Sequence, residues 1–160
     1  MDLRIDLDEA IKQHGAKLLR YAASILGNHA DADDAVQDAF IAAHKNQSKF
    51  DGENLSAWLY KITYNICMNK RRQHGFLFFA DMREEPAIPE YSSSQMPEIM
   101  QALSPLKPRE RALLYMRIIE GYSYDELAHI MGKRPGAIRM MYMRAKEKAA
   151  DLLIEFKEEI

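Results

Sequence analysis

Leu18, Leu19, Ala22, Ala23 and Leu26 recur at the three- and four-residue spacing of a helix with one buried stripe. Gly27 follows directly and is suited to end that helix in the left-handed conformation. A second stripe of Ala35, Val36, Ala39, Phe40 and Ala43 predicts a helix beginning near Asp31, whose carboxylate would cap it. A third helix is expected from about Ser56, with Trp58, Leu59, Ile62 and Ile66 turned inward and Trp58 as the anchor of the lobe. Tyr60 and Tyr64, four residues apart, then fall on the other side, where an aromatic is less expected.

The periodicity stops after the basic run Lys70-Arg71-Arg72 and the apolar patch Phe76 to Phe79. That patch is expected either at an interface or packed back on the first lobe. Between Ala80 and Pro108 lie five of the six prolines, three consecutive serines and many acids, the composition of a linker. Further helices are predicted from Pro108, from Ser123 to Met131, and from Pro135 into the tail. Ser123-Tyr-Asp-Glu126 reads as a capping box, Gly132 as a helix end and Pro135 as a first helical residue. Helix, tight glycine turn and helix with a basic outer face is the sequence form of a helix-turn-helix. The expected fold is therefore all-α, with small helical domains at 1–79 and 103–160 joined by an acidic linker at 80–102.

Placing the last helix on a wheel at about 100° per residue resolves its mixed stretch RMMYMRAK. Ile138, Tyr142, Ala145 and Ala149 form the inward stripe, with Met141 on its shoulder. Arg139, Met140 and Met143 point away, flanked by Arg144 and Lys146.

Charge sharpens this picture. The net charge is only −2, but it is segregated. From Leu55 to Gly75 every formal charge is positive, and between Gly132 and Ala149 six bases, Lys133 and Arg134 among them, face the single acid Glu147. Acids gather instead at Asp31, Asp33, Asp34 and Asp38 and along the linker. The N-terminus carries acids where a signal peptide needs bases, and no stretch approaches the roughly 18 to 20 apolar residues that cross a bilayer, so a cytoplasmic protein without membrane insertion is expected. Cys67 is the only cysteine, which excludes an intrachain disulfide and a Cys-x-x-Cys zinc site. The Asp31 cluster with His29 lacks the glycine and distal Glu of a calcium loop, so no metal or other cofactor is expected. No phosphate-cradling loop and no set of nucleophile, base and orienting acid is recognisable, which argues against an enzyme.

Two separated stretches carry a resemblance. YAASILGNHADADDAVQDAFIAAHKNQSKFD followed by LSAWLYKITYNICMNKRR is similar to region two of the extracytoplasmic-function class of bacterial sigma factors. LSPLKPRERALLYMRIIEGYSYDELAHIMGKRPGAIRMMYMRAKEKAADLL is similar to region four. Both occur in the family's order. The resemblance implies a factor that binds core RNA polymerase, through the clamp helices of the largest subunit and the flap, and directs it to promoter DNA. An anti-sigma factor acting in trans is a further implied partner, and the regulon would answer a stress or envelope signal.

Carried over residue by residue, polymerase contacts fall on Asp34, Gln37 and Asp38, with Phe40 beside them. Exposed carboxylates suit a basic partner, although Asp31 and Asp34 also suit a helix N-terminus. The loop from Lys49 to Asn54 and the helix after it match the place where the family holds the minus-ten element as a single strand. Strand capture needs cations for phosphates, here Lys61, Lys70, Arg71 and Arg72 with Asn65, and platforms for bases, here Phe50, Asn54, Tyr60 and Tyr64. The minus-thirty-five element is expected against Lys133, Arg134, Arg139, Met140, Met143, Arg144 and Lys146. Here the chain departs from the family: Met140 and Met141 stand where many relatives have Ser then Arg, and Arg134 replaces the usual capping serine. Met140 and Met143 suit thymine methyl groups, and equally suit plain surface or a protein contact. The competing classes are a stand-alone helix-turn-helix regulator, which would bind duplex without polymerase, and a helical interaction adaptor, whose binding to nucleic acid would be weak or insensitive to salt.

Overall fold

The computed structural model describes the backbone of residues 5–80 and 102–158, with side chains described within 5–73 and 102–155. The described residues fold into six α-helices: α1 (Leu7–Leu26), α2 (His29–Lys45), α3 (Leu55–Ala80), α4 (Pro108–Leu114), α5 (Tyr124–Met131) and α6 (Pro135–Glu158). A 3-10 turn (Gln47–Lys49) precedes α3, and a π-helical turn (Tyr115–Ile119) prolongs α4. The first three helices form one lobe and the last three the other. The side chains of Phe76 to Phe79 and the linker between the lobes lie outside the described residues.

The helix ends follow from local chemistry. Gly27 closes α1 at φ 69°, a left-handed value that most other residues reach only with strain, and its N–H donates to the Ala23 carbonyl. Gly132 closes α5 in the same way at φ 66°. The capping box forms as expected: Glu126 N–H donates to Ser123 Oγ at 3.1 Å, and Ser123 N–H donates to Glu126 Oε1 at 3.1 Å. The cap of α2 differs from the expectation. The helix begins at His29, and Asn28 rather than Asp31 is its cap, accepting from the Asp31 N–H at 3.2 Å. An amide oxygen in an extended residue serves as well as a carboxylate, so the acids that follow fall inside the first turns.

The larger difference concerns α3. Among its described side chains Leu59, Tyr60, Thr63, Tyr64 and Cys67 are buried, whereas Trp58, Ile62 and Ile66 are only partly buried. The periodicity was that of a helix in contact with its own lobe alone. In the structure the second lobe packs on the first, α4 against α1 and α5 against α3, so one core runs through both. Trp58 instead lies against Phe50, ring centroids 5.1 Å apart, near the start of α3.

The seam between the lobes is built of tyrosines around one arginine. The Tyr21 ring of α1 meets Tyr60 of α3 at 4.7 Å and Tyr115 of the second lobe at 5.7 Å; Tyr60 meets Tyr122 edge-on at 5.5 Å. Arg111 of α4 is buried, and its Nε and Nη2 donate to the carbonyls of Ser24 and Ile25 at 2.7 and 2.9 Å. Those carbonyls belong to the last turn of α1, where the helix supplies no N–H donors for them and carries its negative dipole end. Arg111 Nη1 also donates to the Leu106 and Ser104 carbonyls. Burial brings its pKa down to about 10, so the guanidinium stays charged at neutral pH.

Candidate nucleic-acid interfaces

The two lobes present their candidate DNA surfaces in opposite states. On α6 the expected reading face stands clear: Lys133, Arg134, Arg139, Met140, Met143, Arg144 and Lys146 are all exposed, while Ile138, Ala145 and Ala149 are buried and Tyr142 is half-buried. Met140 and Met143, 55% and 54% exposed, are therefore not part of the core. Arg139 rests its guanidinium over the Tyr124 ring at 5.2 Å, and Arg117 lies over the same ring at 4.5 Å. Tyr124 thus sets the rest position of a candidate base-reading arginine. The base of α6 is tied to α4 by Lys148, whose Nζ donates to Glu110 Oε2 at 3.1 Å. Burial pushes the Glu110 carboxyl up, but the Lys107 N–H and the Lys148 ammonium outweigh it and hold the group below its ordinary range.

On α3 the candidate strand-binding residues divide. Lys61 is half-buried and Asn65, Arg71 and Arg72 are exposed, whereas Tyr60 and Tyr64 are 1% and 7% exposed. Tyr60 does not face solvent as its place on the wheel implied, because its phenol donates to Glu120 Oε1 of the second lobe at 2.8 Å. Burial first, and that hydrogen bond next, push the phenol far above its ordinary range. Asn54, at φ 43°, accepts from the Ala57 N–H with Oδ1 and donates from Nδ2 to Glu126 Oε2 at 3.1 Å. Ser56 shares a hydrogen bond of 2.8 Å with the Tyr122 hydroxyl. Phe50 is half-buried against Trp58.

The acidic helix α2 displays Asp34, Gln37 and Asp38 on its outer side. Gln37 Nε2 donates to Asp33 Oδ2 at 2.9 Å, and Asp38 pairs with Lys70 of α3 at 3.5 Å. Phe40 is corrected by the structure: at 5% exposure it packs into the core and offers no surface to a partner. Among the described residues no group of three or more His, Cys, Asp or Glu side chains could hold a metal ion. Nor is any described helix long and apolar enough to cross a membrane. Burial pushes the Cys67 thiol up to about 12, which leaves it inert.

Family models match both lobes, Sigma-70 region 2 over residues 10–76 and Sigma-70, region 4 over residues 97–148. The RNA polymerase sigma factor NccH of Alcaligenes xylosoxydans xylosoxydans is 31% identical, with 91% of this chain and 85% of that protein covered. The chain belongs to the extracytoplasmic-function class of sigma-70 factors. The sigma factor SigE of Mycolicibacterium smegmatis is 28% identical over 95% of this chain, which spans 63% of that longer relative. Among solved structures, the sigma factor RpoE of Bartonella quintana, in complex with the anti-sigma factor NepR, matches with a TM-score of 0.77 at 28% identity, over 92% of this chain and 96% of that one.

For a sigma factor, the residues that sequence reasoning missed are those of the seam. Arg111 and Glu120 have no local signature, since their partners lie far away in the chain, at Ser24, Ile25 and Tyr60. The one available signal was Tyr60 and Tyr64 on the wrong side of α3, which marked a second covered face.

Proposed function

We propose that this sigma factor binds core RNA polymerase through Asp34, Gln37 and Asp38 of α2 and reads the minus-thirty-five element with the outer face of α6. It traps the minus-ten strand on the loop before α3 and on α3 itself. The boundaries of these working units fall at 79/80 and 102/103. It acts in the cytoplasm as a binding factor rather than a catalyst, on genes that answer a stress or envelope signal, and an anti-sigma factor restrains it, as NepR binds its sigma factor.

The observation that carries this reading is the outer face of α6 and the turn before it, a row of cations and two methionines left in solvent while Ile138, Ala145 and Ala149 on the opposite stripe are buried. Such a face suits the major groove, with arginine for guanine and thioethers for thymine methyls. On α2, exposed carboxylates and an amide give directional acceptors for a basic partner and fast, salt-dependent docking.

Transcription reconstituted from purified core polymerase and this chain on genomic DNA fragments is expected to give specific start sites; random starts would overturn the reading. Asp38→Lys is expected to weaken core binding in a pull-down while the circular dichroism spectrum stays unchanged. Undiminished capture of core would remove Asp38 from the contact.

A further inference from the structure

Three elements of the second lobe converge on one ring. Tyr124 is the first residue of α5; Arg117 of the π turn lies over its ring at 4.5 Å and Arg139 of α6 at 5.2 Å, while the Tyr142 ring of α6 meets it edge-on at 6.1 Å. Arg139 and Tyr142 are three residues apart and so neighbours on the helix surface, which lets one aromatic touch both. Arg117 is the fixed member of the set. It is half-buried, its Nη1 donates to the Tyr122 carbonyl at 2.8 Å, and its charge centre also lies 5.9 Å from the Tyr142 ring. Tyr124 is half-buried as well, whereas Arg139 is exposed.

The contact differs in kind from an ion pair. A carboxylate would engage the guanidinium fork and would have to be stripped from it before a base could bind. A ring attracts the cation through its quadrupole and offers no lone pair that would take up its five N–H donors. Among the described residues the Arg139 side chain makes no hydrogen bond or ion pair, so it is held over Tyr124 with its donors unspent. Arg144 and Lys146, exposed on the same face, have no ring contact among the described residues. Those two side chains keep their rotamer freedom until DNA arrives and lose it on binding, whereas Arg139 has given up part of its own beforehand.

We propose that Tyr124, itself held by Arg117, is a specificity-determining positioning residue: its ring pre-orients the Arg139 guanidinium so that the bidentate fork meets a guanine edge at one base pair of the minus-thirty-five element. The inference rests on the reading of Arg139 as a base contact and adds what sets its aim. Tyr124 acts from a different helix and through its ring, so its hydroxyl has no part in the effect. An arginine whose stem is fixed discriminates more sharply, because a free one swings to a phosphate or a neighbouring base at little cost.

The test uses the full chain with core RNA polymerase on a promoter library randomised across the minus-thirty-five element, as wild type, Tyr124→Phe, Tyr124→Leu and Arg139→Ala, with transcript output scored base by base. Tyr124→Leu is expected to lower discrimination about two- to fivefold, the scale of one exposed cation–ring contact, at the position where Arg139→Ala lowers it and nowhere else. Tyr124→Phe keeps the ring and is expected to retain the wild-type profile. An unchanged profile in Tyr124→Leu, or a uniform loss at every sequence, overturns the positioning role. So does a Tyr124→Phe profile that matches Tyr124→Leu, which would make the hydroxyl the active part. An Arg139→Ala profile that shifts at no single position overturns the proposal through its premise, and that variant alone tells the two failures apart. Nitrogen-15 relaxation of the arginine Nε–H groups in the free wild type covers the case in which Tyr124→Leu fails to fold: Arg139 is expected to be more ordered than Arg144, and equal order in the two overturns the proposal.

Discussion

The proposed reading face of α6 is bare along its whole length, whereas on the proposed strand face of α3 the cations Arg71 and Arg72 are bare and the tyrosines Tyr60 and Tyr64 are covered. Duplex DNA presents its major groove in the resting state, so a helix that reads it needs no guard beyond the right side chains. A single strand exists only after melting, and a platform of tyrosines left open would be an apolar patch free to stack on any strand it met. A bare α6 face beside covered tyrosines on α3 is in keeping with the proposed division of labour.

The comparison breaks most sharply at Tyr21, whose ring joins both lobes. Tyr21→Ala is expected to cost about 3–5 kcal/mol in urea unfolding, whereas Met143→Ala on the bare face should stay within about 0.5 kcal/mol. Equal costs would mean that the seam adds no stability. On the bare face, Arg139→Ala is expected to remove about 1–3 kcal/mol of discrimination among minus-thirty-five variants, scored by transcription from a promoter library. A uniform loss at every sequence would make Arg139 a phosphate contact instead. Tyr21→Phe deletes the unpartnered hydroxyl and keeps the ring, so it should raise stability by up to about 1 kcal/mol. A loss on that substitution would show that the hydroxyl is satisfied in solution.

The smallest effect concerns the tie at the base of α6. Glu110 is held below its ordinary range when folded, so its contribution is present in full above the usual carboxylate pKa of about 4.3 and is lost as the pH falls from there through the lower folded value. Lys148 is 54% exposed, so screening limits its part to about 0.5 kcal/mol or less. Lys148→Ala should flatten the acid limb of the stability curve by that amount.

The helices and their caps were legible because each is written in neighbouring residues. Ser123 with Glu126, and Gly27 and Gly132 at φ near 70°, need nothing beyond four residues of context. The outer face of α6 was legible for the same reason, since one stripe of the helix packs and the rest does not. Burial of Tyr60 and Tyr64 was not, because the surface that covers them lies about sixty residues away and itself carries a carboxylate at Glu120. Phe40 was misplaced by proximity: two residues beyond Asp38 in sequence, it lies about 200° away around the helix. The run LLYMRII also reads as ordinary helix, and nothing in its composition announces the π turn.

That turn has a consequence for length rather than for chemistry. A π turn admits one more residue than the α-helix it interrupts, and this one is followed by a bond from the Tyr122 N–H to the Met116 carbonyl at 3.2 Å. Tyr115 and Met116 are thereby turned into the protein while Ile118 and Ile119, 62% and 55% exposed, are turned out. The phase of the chain entering α5 thus depends on a count. Removing any one residue between Tyr115 and Ile119 would rewind the segment by roughly 100° and carry Glu120 and Tyr122 off their partners. No chemical group on the other side of the seam would need to change, so insertions and deletions here act on docking through phase alone.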